Sequence, residues 1–230
     1  MSGNPTQVIQ CVGIIMDGNR RWARAHNKPV FEGHSEGYKK LQEVVKWSRE
    51  AGIPNVVAYA FSAENWQRSE EEVGHLMKLF RFILENETKK MLDEHVRVCF
   101  VGDRLRFAED IQNGMKKMES ATAKDFNITL YLAMSYGGRA EILSAMNALI
   151  AEGAQSVTEG EFSKKLWSFP CPDPDIIIRT GGEQRLSGFL PWQSVYSELF
   201  FVDAWWPEFQ QEEFVKIIEN FNARDRRHGK

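Results

Sequence analysis

The sequence predicts an α/β fold: a single domain over residues 1–230, with a mostly parallel central sheet of about six strands flanked by helices. Three observations predict it. Short apolar runs alternate with longer stretches of helical periodicity along the chain. The runs are continuously apolar, as strands buried on both faces are. No linker, internal repeat or low-complexity segment divides the chain. Residues 1–10 are polar, lack a hydrophobic signal region and are expected to be flexible.

The elements follow in order. Cys11 to Met16 is the first strand, and Arg21 to His26 is a short helix or loop closed by Asn27-Lys28-Pro29. His34 to Ala51 is a helix, with Tyr38, Leu41, Val44, Val45 and Ser48 at helical spacing and a stop at Gly52-Ile53-Pro54. Val56 to Ala60 is a strand. Glu70 to about His95 reads as one long helix with Val73, Leu76, Met77, Phe80, Ile83 and Leu84 on one face. Arg97 to Val101 and Asn127 to Ala133 are strands, each followed by a helix, Phe107 to Ala123 and Gly138 to Glu152. Thr158 to Trp167 is a short helix ended by Pro170, Pro172 and Pro174. Asp175 to Arg179 and Leu199 to Val202 are the last strands, and Glu212 to Phe221 is the last helix.

Composition excludes some functions. A net charge of −3 gives no global attraction for nucleic acid, so an anionic ligand must be held by a local cluster of arginines. Cys11, Cys99 and Cys171 are odd in number and widely spaced, which suits reduced thiols in a cytoplasmic protein and neither a disulfide framework nor a zinc site. No run approaches a membrane span. Seven tryptophans and fifteen phenylalanines suit a large apolar cavity, or simply an aromatic core.

The chemistry begins at Asp17-Gly18-Asn19-Arg20-Arg21-Trp22, directly after the first strand. A strand end opening onto a helix N-terminus presents free N–H groups and a positive dipole, which attract phosphate. Gly18 permits close backbone approach, and Arg20 and Arg21 add charge. Asp17 repels phosphate unless a divalent cation bridges them. Taken alone, the stretch fits an ordinary turn equally well. In a parallel sheet, ligands gather at the carboxyl ends of the strands. Asp17 follows the first strand, Ser62-Ala63-Glu64-Asn65 the second, and Arg179 to Ser187 a late one. Asp17, His34, Asn65, Arg68, Arg179, Arg185 and Ser187 thus converge on one edge as a site for more than one phosphate group.

Four stretches together resemble the cis-prenyltransferases, the family of undecaprenyl diphosphate synthase. They are Asp17 to Trp22, Gly33-His34-x-x-Gly37, Tyr59-Ala60-Phe61-Ser62-x-Glu64-Asn65-Trp66-x-Arg68, and Ile178-Arg179-Thr180-Gly181-Gly182-Glu183-x-Arg185-x-Ser187. The resemblance runs from about Val12 to Gly229. It implies the cis-prenyltransferase fold with an apolar product tunnel. It implies an enzyme that condenses isopentenyl diphosphate stepwise onto an allylic primer such as farnesyl diphosphate, forming Z double bonds. Gly18, Asn19, Arg20, Arg21, His34 and Arg68 would hold the primer diphosphate, and Arg179, Arg185 and Ser187 that of isopentenyl diphosphate. Ser62, Ala63, Glu64 and Leu186 count with the same substrate-binding set. Asp17 would bind Mg2+, with Glu198 as the second metal-site acid. Asn65, with Ser62 nearby, would assist proton loss, although a neutral amide is a poor base and the diphosphate or Asp17 could take the proton. Trp22, Trp66, Phe61 and Phe31 would wall the cavity or pack the core.

The long helix from Glu70 and the strand Ile128 to Met134 are the expected tunnel walls, with bulky Tyr131 and Met134 as candidate stops. The helix region carries no obvious insertion, which implies a product of undecaprenyl length or shorter. Val30, Gln184, Arg20 and Ser135 depart from common family residues. Arg227-His228-Gly229 resembles a tail that reaches across a homodimer to the neighbouring site. A long product would leave into lipid, so peripheral membrane contact is expected. A non-catalytic accessory subunit is the alternative; such relatives lose the metal-binding acid and the diphosphate arginines, which are present here. A phosphatase is weaker still, since no phosphate loop or nucleophile motif occurs.

Overall fold

The computed structural model of the chain describes residues 8–224. All strand pairings are parallel, and the sheet is six-stranded in the order β3-β4-β2-β1-β5-β6. The strands are β1 (Cys11–Ile15), β2 (Asn55–Ser62), β3 (Val96–Val101), β4 (Ile128–Tyr136), β5 (Ile176–Arg179) and β6 (Glu198–Phe201). β1 and β5 are buried throughout, which explains their unbroken apolar runs. Among the described residues eight α-helices flank the sheet: α1 (Asn19–Ala25), α2 (Val30–Glu50), α3 (Glu70–Asn86), α4 (Thr88–Asp93), α5 (Glu109–Ala121), α6 (Gly138–Ala151), α7 (Glu159–Ser163) and α8 (Gln211–Asn222).

Val12 and Ile14 of β1 join a core with α2, α3, α5 and α8 on one face. Cys11 and Ile15 turn to the other face, where they pack near Tyr131, Tyr136, Phe189 and Leu190. Ile9 is buried, and the Gln10 N–H donates to Asp175 Oδ2 at 2.7 Å. No described helix is long and apolar enough to cross a membrane.

Several boundaries differ for local reasons. The long helix from Glu70 breaks at Glu87, because Asn86 Nδ2 and Thr88 Oγ1 bond back to the carbonyls of Phe82 and Leu84 instead of leaving the ladder intact. Its start is set by Ser69, whose side chain accepts from the Glu72 N–H, and by acids at Glu70, Glu71 and Glu72. Helix α2 begins at Val30, after Pro29 with its φ of −58°, and so includes Gly33 and Gly37. That placement explains the Gly33-His34-x-x-Gly37 spacing. A Cβ on Gly33 would lie 2.2 Å from the Asn19 carbonyl oxygen, and one on Gly37 2.4 Å from Asn19 Oδ1. The two glycines let α2 press against the start of α1 and hold His34 over the end of β1.

This close approach is testable. Gly33→Ala should destabilise by about 1–3 kcal/mol, as overpacking does, and lower the thermal midpoint by about 2–12 °C. Gly74 lies in α3 with nothing within 4 Å of a built Cβ. Gly74→Ala should therefore stabilise by about 0.5–1 kcal/mol. Paired calorimetric scans check both signs; equal midpoints would show that the α1–α2 approach carries no constraint.

Candidate active site

The carboxyl ends of β1, β2 and β5 meet in a polar crevice of about 260 Å³, between Asp17, His34, Asn65, Arg68 and Arg179. It continues into a second polar space of about 410 Å³ beside Arg20, Arg21, Arg24 and Arg185. Asp17 follows β1 and is fixed by its backbone: its carbonyl accepts from Thr180 Oγ1 at 2.7 Å and from the Trp206 N–H at 3.0 Å. Gly18 then turns with φ 114°, and a Cβ there would lie 2.8 Å from Trp205 Cα.

The Asp17 carboxylate lies between Arg21 Nη2 at 3.1 Å and Arg179 Nη2 at 2.9 Å. Arg179 is only 4% exposed. A buried guanidinium must be paired; its Nη1 also donates to Ser187 Oγ at 2.8 Å and to the Arg185 carbonyl. Arg179 Nε, Asn19 Oδ1 and His34 Nε2 are buried without a hydrogen bond, so the crevice retains unspent polar capacity.

A second carboxylate, Glu72, has a comparable setting. Its Oε1 lies 2.7 Å from Arg68 Nη1, 3.5 Å from His34 Nε2 and 3.7 Å from Arg20 Nε. Burial, then the neighbouring Arg68 guanidinium, lowers the His34 pKa to about 4, so its imidazole is neutral at pH 7. Glu72 was not anticipated. Its signal was the Arg68-x-x-x-Glu72 spacing, which also reads as an ordinary acid in the first turn of a helix. Five arginines (Arg20, Arg21, Arg68, Arg179, Arg185) face three acids (Asp17, Glu72, Glu183), which leaves the crevice cationic.

The other expected residues divide. Asn65 Oδ1 accepts from the Ser62 N–H at 3.0 Å within the 3₁₀ turn Ala63–Gln67, so its NH2 group is what Asn65 can offer an anion. Ser62 lines the crevice where the β2–β4 register shifts. Arg185 is exposed and paired with Glu183, and Gln184 beside it is exposed. Ala63, Glu64 and Leu186 line neither polar space; Glu64 is exposed and Leu186 packs against the second core face. Trp22 lies outside the cavities, stacked on His26 at 4.5 Å. Trp66 and Phe61 pack edge-on at 4.9 Å as core. Phe31, 45% exposed, lines a side opening with His75.

Glu198 lies apart from Asp17 within the chain. It opens β6, paired with Ile176 at the start of β5, whereas Asp17 lies beyond the other end of the sheet. There it pairs with Arg224. The chain does not bring it to Asp17. Arg227, His228 and Gly229 fall outside the described residues.

An apolar cavity of about 90 Å³ adjoins the crevice and shares Met16, Asn19, His34, Ala60 and Leu76 with it. Leu130, Leu132 and Met134 of β4 line it, while Tyr131, of opposite parity, faces the other core. Tyr131 is therefore not a tunnel wall. Met134 lies near the polar end, two residues before Tyr136; Met91, Met115 and Met118 from α4 and α5 line the cavity too.

No cluster of three His, Cys, Asp or Glu side chains suited to a metal occurs among the described residues. Asp17 alone is nonetheless a fitting partner for Mg2+, which commonly takes one or two carboxylates and completes its shell with substrate phosphates and water.

Comparison with known proteins agrees with this geometry. Residues 15–229 match the prenyltransferase family model described as "Putative undecaprenyl diphosphate synthase". An isoprenyl transferase of Fusobacterium nucleatum is 44% identical over 95% of this chain and 94% of its own length. A tritrans,polycis-undecaprenyl-diphosphate synthase (geranylgeranyl-diphosphate specific) of Pyrococcus horikoshii is 44% identical over 95% of this chain and 86% of its own. The crystal structure of lavandulyl diphosphate synthase from Lavandula x intermedia, in complex with dimethylallyl diphosphate, superposes with a TM-score of 0.91 at 28% identity, covering 97% of this chain and 99% of that one. The chain therefore belongs to this prenyltransferase family and is an isoprenyl-transferring enzyme.

Proposed function

We propose that the chain is a Mg2+-dependent cis-prenyl diphosphate synthase, adding isopentenyl diphosphate to an allylic diphosphate such as farnesyl diphosphate. The observation that carries this is the junction of a polycationic crevice with an apolar cavity through shared walls at Met16, Asn19, His34, Ala60 and Leu76. A substrate with a diphosphate head and a hydrocarbon tail fits both at once.

Arg20, Arg21, Arg68 and His34, with Gly18 and Asn19, hold the primer diphosphate. Arg179, Arg185 and Ser187 hold that of isopentenyl diphosphate. Asp17 would hold Mg2+ at the diphosphates, where the ion adds charge stabilisation to the departing group. The arginines around Glu72 are preset for the same developing charge, so they need little reorganisation as the allylic C–O bond ionises. The C4 alkene of isopentenyl diphosphate attacks the allylic carbon, and a proton leaves to form the Z double bond. Because the Asn65 oxygen is engaged by Ser62, the departing diphosphate or Asp17 is the better acceptor. The apolar cavity excludes water from the cation and receives the tail.

Methionine side chains are flexible, so the lining at Met91, Met115, Met118 and Met134 can yield as the product grows to undecaprenyl length or shorter. A homodimer is supported by the edge strand β6, where Leu199 and Phe201 stay 40% and 37% exposed, next to exposed Val195 and Tyr196.

A product assay tests the reading. With Mg2+, labelled isopentenyl diphosphate and geranyl or farnesyl diphosphate, wild type should give extended products. Asp17→Ala should lose at least about 100-fold in kcat, and Met118→Ala should shift products longer. A folded wild type that binds diphosphate yet extends no primer would indicate an accessory subunit instead.

His34 supplies a pH dependence. Its folded pKa, about 4, is below the ordinary 6.5, so from pH 6.5 to 4 the unfolded chain binds a proton that the free folded chain does not. Stability should therefore fall on acidification across that window, and His34→Gln should flatten the fall. Parallel denaturation curves for wild type and variant would contradict the burial of a neutral imidazole.

A further inference from the structure

β4 ends in Ser135-Tyr136-Gly137-Gly138-Arg139, and neither Ser135 nor Tyr136 lines the crevice or the apolar cavity. Each is nonetheless tied to a different substrate segment. Ser135 is 1% exposed, with φ of 50°. Its Oγ accepts from Trp66 Nε1 at 2.9 Å, and Trp66 belongs to the turn that carries Asn65 and leads to Arg68.

Tyr136 reaches the other way. Its hydroxyl donates to Glu141 Oε2 at 2.5 Å. Glu141 is fully buried and held by neutral donors: Oε1 accepts from the Ser168 N–H at 2.8 Å, and Oε2 from Gln193 Nε2 at 3.1 Å. Gln193 closes the segment that begins at Arg185. The same segment is fastened by the Gly138 N–H, donating to the Gly188 carbonyl at 2.8 Å, and by the Tyr59 hydroxyl, 3.4 Å from the Ser187 carbonyl and 3.1 Å from that of Tyr136. Burying a carboxylate without a cation costs more than apolar packing of the same volume, so stability alone does not account for it. Both Glu141 oxygens are engaged, while Gln193 Oε1 is buried without a hydrogen bond; buried hydrogen bonds that tie segments together stiffen them.

We propose that the β4–α6 junction is a two-armed bracket that sets the distance between the two substrate segments. Ser135 positions the primer-side turn through Trp66. Tyr136, Glu141 and Gln193 position the loop that carries Arg185 and Ser187. All four are positioning residues that act through others. The proposal rests on the assignment of the two segments to two diphosphates.

The test varies each substrate separately for Ser135→Ala and Tyr136→Phe, with thermal midpoints to confirm folding. Tyr136→Phe should raise KM for isopentenyl diphosphate about tenfold while KM for the primer stays within about twofold, as loss of one buried hydrogen bond to a charged group predicts. Ser135→Ala should do the reverse, raising KM for the primer or lowering kcat about tenfold. Ser135→Asn should restore it, because Asn supplies an acceptor and takes a left-handed φ more readily. If Tyr136→Phe does not fold, Gln193→Ala tests the same arm. Variants that move both KM values together, or neither, overturn the bracket. A wild type with no condensation at all would overturn the two-diphosphate assignment instead.

Discussion

The structure depends on where the Asp17 backbone is held. β1 lies inside the sheet between β2 and β5, and the residue after its end is pinned through its carbonyl by Thr180 and Trp206. Its carboxylate is thereby set between Arg21 from α1 and Arg179 from β5. Because all strands are parallel, the same edge also receives the end of β2 and, through β4, the bracket behind it. The Gly33 and Gly37 contacts then bring α2 and His34 over the same point. Displacing Asp17 would disturb both arginine clusters at once.

Two carboxylates, Asp17 and Glu72, occupy positions among cations that phosphate oxygens would suit. A cationic crevice without them would repel itself; with them, guanidinium groups are oriented before any ligand arrives. On the proposed function, substrate binding would exchange one set of anions for another. The neutral His34 belongs to this logic, since burial and the Arg68 guanidinium keep its imidazole uncharged beside the arginines. Beside it, the methionine-lined cavity would, on the proposed function, shield an allylic cation from water.

Much of this was legible in the sequence, and the exceptions have physical reasons. Buried parallel strands announced themselves as apolar runs, and the four motifs fell at strand ends or on the helix packed over them. β2 and β4 ran further than expected, to Ser62 and Tyr136, because their carboxyl ends turn polar where they meet the site. The break at Glu87 was hidden, since it depends on side chains bonding back to the helix. Glu72 was hidden because a helix start accounts for an acid there without any site. The Tyr131 assignment failed against geometry already available, and the separation of Glu198 from Asp17 within one chain was readable in the same way. A residue before a parallel strand lies at the edge opposite the site, and residues three apart on a strand cannot share a face. Gly33 shows the reverse: only the structure explains why the glycine must be inside a helix.

The central claim is that the chain holds two diphosphates at once, one at each arginine cluster. The most direct measurement is calorimetric titration, in Mg2+, of isopentenyl diphosphate into protein saturated with an unreactive thio analogue of farnesyl diphosphate. The account predicts binding of one further equivalent per chain, with an affinity that falls in Arg179→Ala and holds in Arg68→Ala. Competition between the two ligands for a single site would contradict it.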